Sequence, residues 1–207
     1  MRGIGLLRRH GQAIVLTALG LVAWSAAHAA ELKVPDTAAT TSFDFDDKGI
    51  GDFKVVDGQW VVEEMAGAPS GKRVLVQRAI DNVFNVIVAP AGPYSDVDAS
   101  VRFKPVSGRE DASGGIVFRF NFRLYYYDHG RYQLASARVY PPSLGQWHTM
   151  RVVAVGDHIQ GYLDGKLLID HRDARYRSGK VGLWTKADSV TAFDDLVIRG
   201  VPGGGGG

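Results

Sequence analysis

The chain has 207 residues and no cysteine, with 24 Lys and Arg against 22 Asp and Glu. It therefore has neither disulfides nor zinc–thiolate sites to rely on, and its stability must come from a packed core. Arg2, Arg8 and Arg9 precede residue 30 and no acid does, so the remainder holds 21 cations (24 − 3) against 22 acids, which gives no electrostatic reason to expect nucleic acid or an anionic membrane as partner.

The N-terminus carries the three parts of an export signal. The arginines form a positive region, residues 13–24 are apolar apart from Thr17 and Gly20, and Ala27-His28-Ala29 supplies a small-x-small cleavage pattern. Residues 1–29 are thus expected to be a signal peptide, with a periplasmic or secreted product. An apolar run of this length falls short of the roughly 18 residues a spanning helix needs, so no integral membrane span is expected after processing. Residues 30–42, rich in Thr and Ala with Pro35, read as a linker. Residues 43–200 are long enough for one domain with one core, and 201–207 read as a flexible glycine-rich tail.

From residue 43 onward, period-2 alternation recurs about every ten residues and helical period does not persist. Strands are expected at 58–63, 73–77, 85–88, 97–105, 116–127, 132–138, 147–155, 158–164, 166–170, 180–185 and 191–198. Asp164-Gly165 suits a two-residue hairpin turn because both positions need positive φ, and Gly156-Asp157 does similar work. Many short strands with polar turns and no crossover helix imply an all-β, two-sheet antiparallel jelly-roll sandwich. The stretch 116–127 is anomalous. It alternates without a break, placing Ile116, Phe118, Phe120, Phe122, Leu124 and Tyr126 on one face. A single strand of that length would run about 40 Å, roughly twice the usual span.

Several segments, in order and spacing, carry a family resemblance. They are Gly114-Gly115-Ile116-Val117-Phe118-Arg119, Trp147-His148-Thr149-Met150-Arg151-Val152, Gly161-Tyr162-Leu163-Asp164-Gly165-Lys166, Gly182-Leu183-Trp184-Thr185-Lys186-Ala187-Asp188-Ser189 and Phe193-Asp194-Asp195-Leu196. The chain resembles bacterial concanavalin A-like, laminin-G-like domains of the 3-keto-disaccharide hydrolase-like group. The resemblance implies a carbohydrate-related jelly roll with ligands held on the concave sheet or its rim loops. One departure stands out: Arg119 runs almost directly into Phe122-Arg123-Leu124-Tyr125, where the group's pattern has a turn and a further strand.

The opposite face of 116–127 is the leading ligand surface. Arg119, Asn121, Arg123, Tyr125 and Tyr127 combine flat rings with fork-shaped donors, which suit the apolar faces and hydroxyls of a sugar. Gln160 and Tyr162 extend it, since they alternate with core-like Ile159 and Leu163. An ordinary solvated sheet face would show a similar pattern.

Catalytic signatures are sparse. Asp96 and Asp98 share a strand face at a separation compatible with an inverting glycosidase, yet the Glu-x-Asp-x-x-Glu strand motif of laminarinase-type enzymes is absent. The histidines show no metal-ligand spacing and no Gly-x-Ser-x-Gly elbow accompanies them; His148 beside Trp147 reads as structural. Asp44, Asp194 and Asp195 could hold a structural calcium ion if the first and last strands pair, although the loop lacks an Asp-x-Asp-x-Asp cadence. Trp184 reads as a core residue, followed by a loop whose Lys186 and Asp188 could touch ligand. The expected function is a secreted, lectin-like carbohydrate-binding β-sandwich without autonomous catalysis. The alternatives are a hydrolase acting on 3-keto-disaccharides, as the resemblance implies, and a structural or adhesive envelope module.

Overall fold

The computed structural model describes residues 29–46, 49–80, 84–109, 114–120 and 143–203. Residues 1–28, with most of the expected signal peptide, lie outside the described residues, as does the expected strand at 132–138. Among the described residues there is no helix, and twelve strands form: β1 (Ala39–Phe43), β2 (Lys54–Asp57), β3 (Trp60–Glu64), β4 (Arg73–Gln77), β5 (Phe84–Val88), β6 (Tyr94–Ser107), β7 (Gly114–Phe120), β8 (His148–Val155), β9 (His158–Leu163), β10 (Lys166–Arg172), β11 (Lys180–Lys186) and β12 (Val190–Pro202).

They make two antiparallel sheets. The larger runs β10-β9-β8-β6-β12-β4-β3, with β1 also on β12, and the smaller runs β2-β5-β11-β7. Alternation builds the core between them. Val97, Ala99, Val101 and Phe103 of β6 and Val152 and Ala154 of β8 point inward from the larger sheet. Ile87, Val181 and Leu183 meet them from the smaller one. Phe193, near the start of β12, is fully buried and packs its ring 5.9 Å from Trp60.

Among several register shifts, two redirect side chains that matter below. On β7, Gly182 faces Val117 but Lys180 faces Phe120, so β7 carries one extra residue there, and Arg119 takes φ 51°. On β12, Asp194 faces Arg102 while Val197 faces Ser100, and Asp195 takes φ 49°. That extra residue lets Phe193, Leu196 and Ile198 all reach the core despite their uneven spacing.

The expected linker is not one. Val34 and Ala38 are buried, and Ala39–Phe43 pairs along β12 from Gly200 to Leu196. Its Thr-Thr-Ser composition conceals a strand that sits on an otherwise open stretch of β12. At the other end, Val201 and Pro202 belong to β12 and Gly203 N donates to Pro93 O, so the tail begins later than expected.

Carboxylates pin the β3–β4 hairpin onto the larger sheet. Asp46 Oδ1 accepts from Lys72 N (2.9 Å) and Arg73 N (3.0 Å), and Asp194 accepts from Ser70 N (3.0 Å) and Ser70 Oγ (2.9 Å). Gly71 has φ 46°, and a Cβ there would lie 1.3 Å from Asp46 Oδ2, so the approach requires glycine. The two backbone donors hold the Asp46 carboxyl below its ordinary range. A depressed folded pKa adds stability above the unfolded value, about 3.9, which is lost as pH falls through the folded one. Asp46→Asn should therefore flatten the decline of melting temperature below about pH 4. Parallel wild-type and variant profiles from pH 6 to 2 would contradict that assignment.

Candidate functional site

The outward face of β8 and β9 carries the densest polar network among the described residues. Arg151 of β8 lies opposite Tyr162 of β9, and its guanidinium carbon sits 5.3 Å from the ring centroid. Its Nε and Nη2 both donate to Asp98 of β6, at 2.7 Å each, a bidentate pair that fixes the plane of the fork. Its Nη1 donates to the carboxylate of Glu31. The bonds to Asp98, then to Glu31, raise Arg151 above the ordinary arginine value, and its bond in turn holds Glu31 below the usual carboxylate range.

Beside this fork lies Gln160, fully buried. Its Oε1 accepts from Leu32 N (2.8 Å) and Tyr162 OH (2.6 Å). Its Nε2 donates to Ala30 O (3.0 Å) and Asp170 Oδ2 (3.1 Å). Every capacity of the amide is used, as a buried amide requires. One side chain thus grips the extended backbone of residues 30–32 as a strap across the sheet. Burial, then the nearby Glu31 charge, raises the Tyr162 phenol above its ordinary value.

Strap and sheet flank a partly open cavity of about 580 Å³ lined by Ala29, Glu31, Thr149, Arg151, Tyr162, Gly165, Lys166 and Leu167. That volume lies within the range of small-ligand sites. The lining offers an aromatic ring, a hydroxyl, two cations and one carboxylate, and therefore both donors and acceptors.

Of the residues expected to bind ligand, Tyr162 lines this cavity. Gln160 does not; it is consumed in holding the strap. Arg119 is corrected: it is 4% exposed and faces no ligand surface. The bulge swings it into one end of the sandwich, where it donates to the carbonyls of Tyr176 (3.0 Å), Ser95 (3.2 Å) and Gly156 (2.6 Å). Its desolvation lowers its pKa from the ordinary arginine value. Asn121, Arg123, Tyr125 and Tyr127 lie outside the described residues.

The calcium reading does not fit the donors. β1 does pair with β12, Phe43 opposite Leu196. Yet Asp194 turns its oxygens to Ser70 and Asp195 N, and burial raises its carboxyl above the ordinary value. Asp44 Oδ1 accepts from Asp46 N instead. Among the described residues no three His, Cys, Asp or Glu side chains are grouped to hold a metal ion.

Nor do Asp96 and Asp98 form an acid pair: Asp96 accepts from Gly156 N while Asp98 holds Arg151. His148 Nδ1 is 2.8 Å from Asp164 Oδ2, and its Nε2 is buried without a partner. Trp184 is not a core residue. It projects from the outer face of the smaller sheet, partly exposed, with its ring 5.6 Å from Phe84. It covers Gly115, where a Cβ would come within 2.1 Å of the indole Nε1. Asp188 accepts from Arg109 N at 2.6 Å.

Sequence reasoning passed over Glu31, Thr149, Arg151 and Lys166. The alternation of 147–155 already placed Thr149 and Arg151 on one outward face, and that was the available signal.

Two packed antiparallel sheets of this topology define a galectin- and concanavalin A-like β-sandwich. Residues 24–199 match the 3-keto-alpha-glucoside-1,2-lyase-like domain, and the chain belongs to that family. Among solved structures it is similar to the carbohydrate binding module CBM66 from Bacillus subtilis, with 18% identity over 71% of this chain and 94% of that one, TM-score 0.59. It also resembles the cellulose induced protein Cip1, with 13% identity over 80% of this chain and 100% of that one, TM-score 0.56. A Bacillus subtilis protein of unknown function with galectin-like fold is 11% identical over 73% of this chain and 90% of that one, TM-score 0.52. At these identities the likeness is one of fold. A search of curated protein sequences finds no match. Among the described residues, no helix is long and apolar enough to cross a membrane.

Proposed function

We propose that the protein is a secreted, lectin-like carbohydrate-binding β-sandwich without catalysis of its own, and that its sugar sits in the cavity beneath the residue 30–32 strap, which remains after removal of residues 1–29. The observation that carries this reading is the lining itself. The Tyr162 ring, Thr149, Lys166 and Glu31 bring a stacking surface together with donors and acceptors in about 580 Å³. Carbohydrate as ligand class is supported by the family, whose description is a glucoside-processing domain, and by the carbohydrate binding module that shares the fold. Export is supported by the signal pattern of residues 1–29.

Tyr162→Ala should lower affinity for a glycan identified on an array by about tenfold, equivalent to about 1.4 kcal/mol. Its melting temperature should fall only modestly, because the ring is partly buried and Gln160 Oε1 keeps Leu32 N as a donor when the phenol is lost, whereas Tyr162→Phe should retain most of the binding. A wild-type protein that retains no glycan at all would end this reading.

The family description favours a second reading, elimination across the 1,2 bond of a 3-keto-α-glucoside. A 3-keto group acidifies the C2 hydrogen, a base removes it, and the C1 substituent leaves. Among the described residues the obvious carboxylates are committed, Asp98 to Arg151 and Asp194 to Ser70. Turnover of a 3-keto-α-glucoside by the purified protein would favour this reading over binding alone.

A further inference from the structure

Arg151 is divided between two carboxylates of different standing. Asp98 takes Nε and Nη2 from within the sheet and orients the fork. Nη1 is left directed at the cavity, and the chain fills it with Glu31. Glu31 is a weakly held partner: its side chain is 49% exposed, against 20% for Asp98. It sits on a strap whose local backbone contacts are the two hydrogen bonds to Gln160, outside any strand. An exposed ion pair of this kind contributes little to stability, so exchanging its carboxylate for another costs little. Lys166 lines the same cavity and adds a second cation. With Glu31 displaced, the lining would hold two cations and no acid, on a guanidinium edge already positioned for a carboxylate.

We infer that Glu31 stands in for a ligand carboxylate, and that the cavity takes an acidic sugar of the uronate class, whose carboxylate replaces Glu31 on Arg151 Nη1. The inference rests on the cavity being the sugar site and adds the charge of the sugar and the residue it displaces. It separates the roles of the two acids: Asp98 positions Arg151, whereas Glu31 competes with the ligand.

The test is calorimetric titration of the processed chain beginning at Ala30, wild type and Glu31→Gln, with pairs of α- and β-linked disaccharides that differ only in a C6 carboxylate. Glucosyl-glucuronate and its all-glucose counterpart make such a pair. Glu31→Gln keeps the strap and its Gln160 contacts but removes the competing charge. It should bind the uronate disaccharide five- to tenfold more tightly than wild type, with the neutral disaccharide unchanged. The uronate affinity should fall in 0.5 M salt and be lost in Lys166→Gln combined with Arg151→Gln. Binding of the neutral sugar with no gain for the uronate in Glu31→Gln would overturn the inference and leave the sugar site standing. Binding of neither sugar by either protein would remove both.

Discussion

Arg119→Met is expected to destabilise the domain by about 2–3 kcal/mol, lowering its melting temperature by roughly 5–10 °C. The guanidinium donates to Ser95 O, Gly156 O and Tyr176 O, which come from β6, the β8–β9 turn and the loop before β11. Asp96 also accepts from Gly156 N (2.9 Å), so β6 and the β8–β9 turn keep one link without Arg119, whereas the Tyr176 carbonyl loses its side-chain donor. Two effects compete. Burying the cation disfavours the fold, and methionine relieves that cost. Against it, the substitution strips three carbonyls of a charge-assisted donor worth about 1.5–3 kcal/mol where water cannot replace it. Water can reach the Tyr176 and Gly156 ends, which lie in exposed segments. Three acceptors outweigh one partly compensated cation. Backbone strain at φ 51° is common to Arg and Met and cancels from the comparison. Arg119→Lys should recover part of the loss, because an ammonium can serve one or two of the carbonyls but not span the fork. A methionine variant that melts within about 2 °C of wild type would show that the carbonyls find water or other donors.

The same residue shows where the sequence was legible and where it was not. Strands whose side chains alternate cleanly were readable within two or three residues: β4 was expected at 73–77 and forms there, and β6 was expected at 97–105 and forms at Tyr94–Ser107. β1 and β2 escaped because Ala-Thr-Thr-Ser-Phe and Lys-Val-Val-Asp are short and largely exposed, so neither shows a two-sided pattern. Bulges escaped for a different reason. Arg119 and Asp195 adopt positive φ without being glycine; Asp enters that region more readily than most residues, but its type does not single Asp195 out among the chain's other aspartates, and Arg119 carries no such mark. Each bulge reverses which face the following residue occupies. Alternation alone therefore puts Arg119 on the surface when it is an internal clamp, whereas Asp194 precedes its bulge and its role as a hairpin anchor depends on Ser70, 124 residues away. The cavity was half visible. Tyr162 was named from alternation alone, but its neighbours depend on register between strands. Glu31 depends on a contact between Leu32 and Gln160, 128 residues apart.

Phe193→Ala should be the most damaging single truncation of the core, at about 3–5 kcal/mol. Phe193 is fully buried, lies opposite Phe103 of β6 and Leu75 of β4, and reaches Trp60 of β3. Its ring also crosses to the other sheet: a Cβ on Gly114 of β7 would stand only 3.2 Å from its Cζ. One side chain thus contacts four strands and joins both sheets, so its removal leaves a void that no single neighbour can fill. Backbone pairing on both sides of β12 resists collapse into that void, which places the cost toward the upper end of the range. Phe193→Leu refills most of the volume and should cost about 1–2 kcal/mol. Urea denaturation should show a lower midpoint with an unchanged slope, since the surface exposed on unfolding is nearly the same. Sugar affinity, read under conditions where the variant remains folded, should match wild type, because the cavity is built on the outward face of β8 and β9. Tyr162→Ala should give the mirror image, with affinity about tenfold weaker and the midpoint only modestly lower. If Phe193→Ala weakened binding as much as it weakened the fold, the cavity could not be an independent feature of the outer face, because its geometry would then depend on core packing transmitted through the sheet.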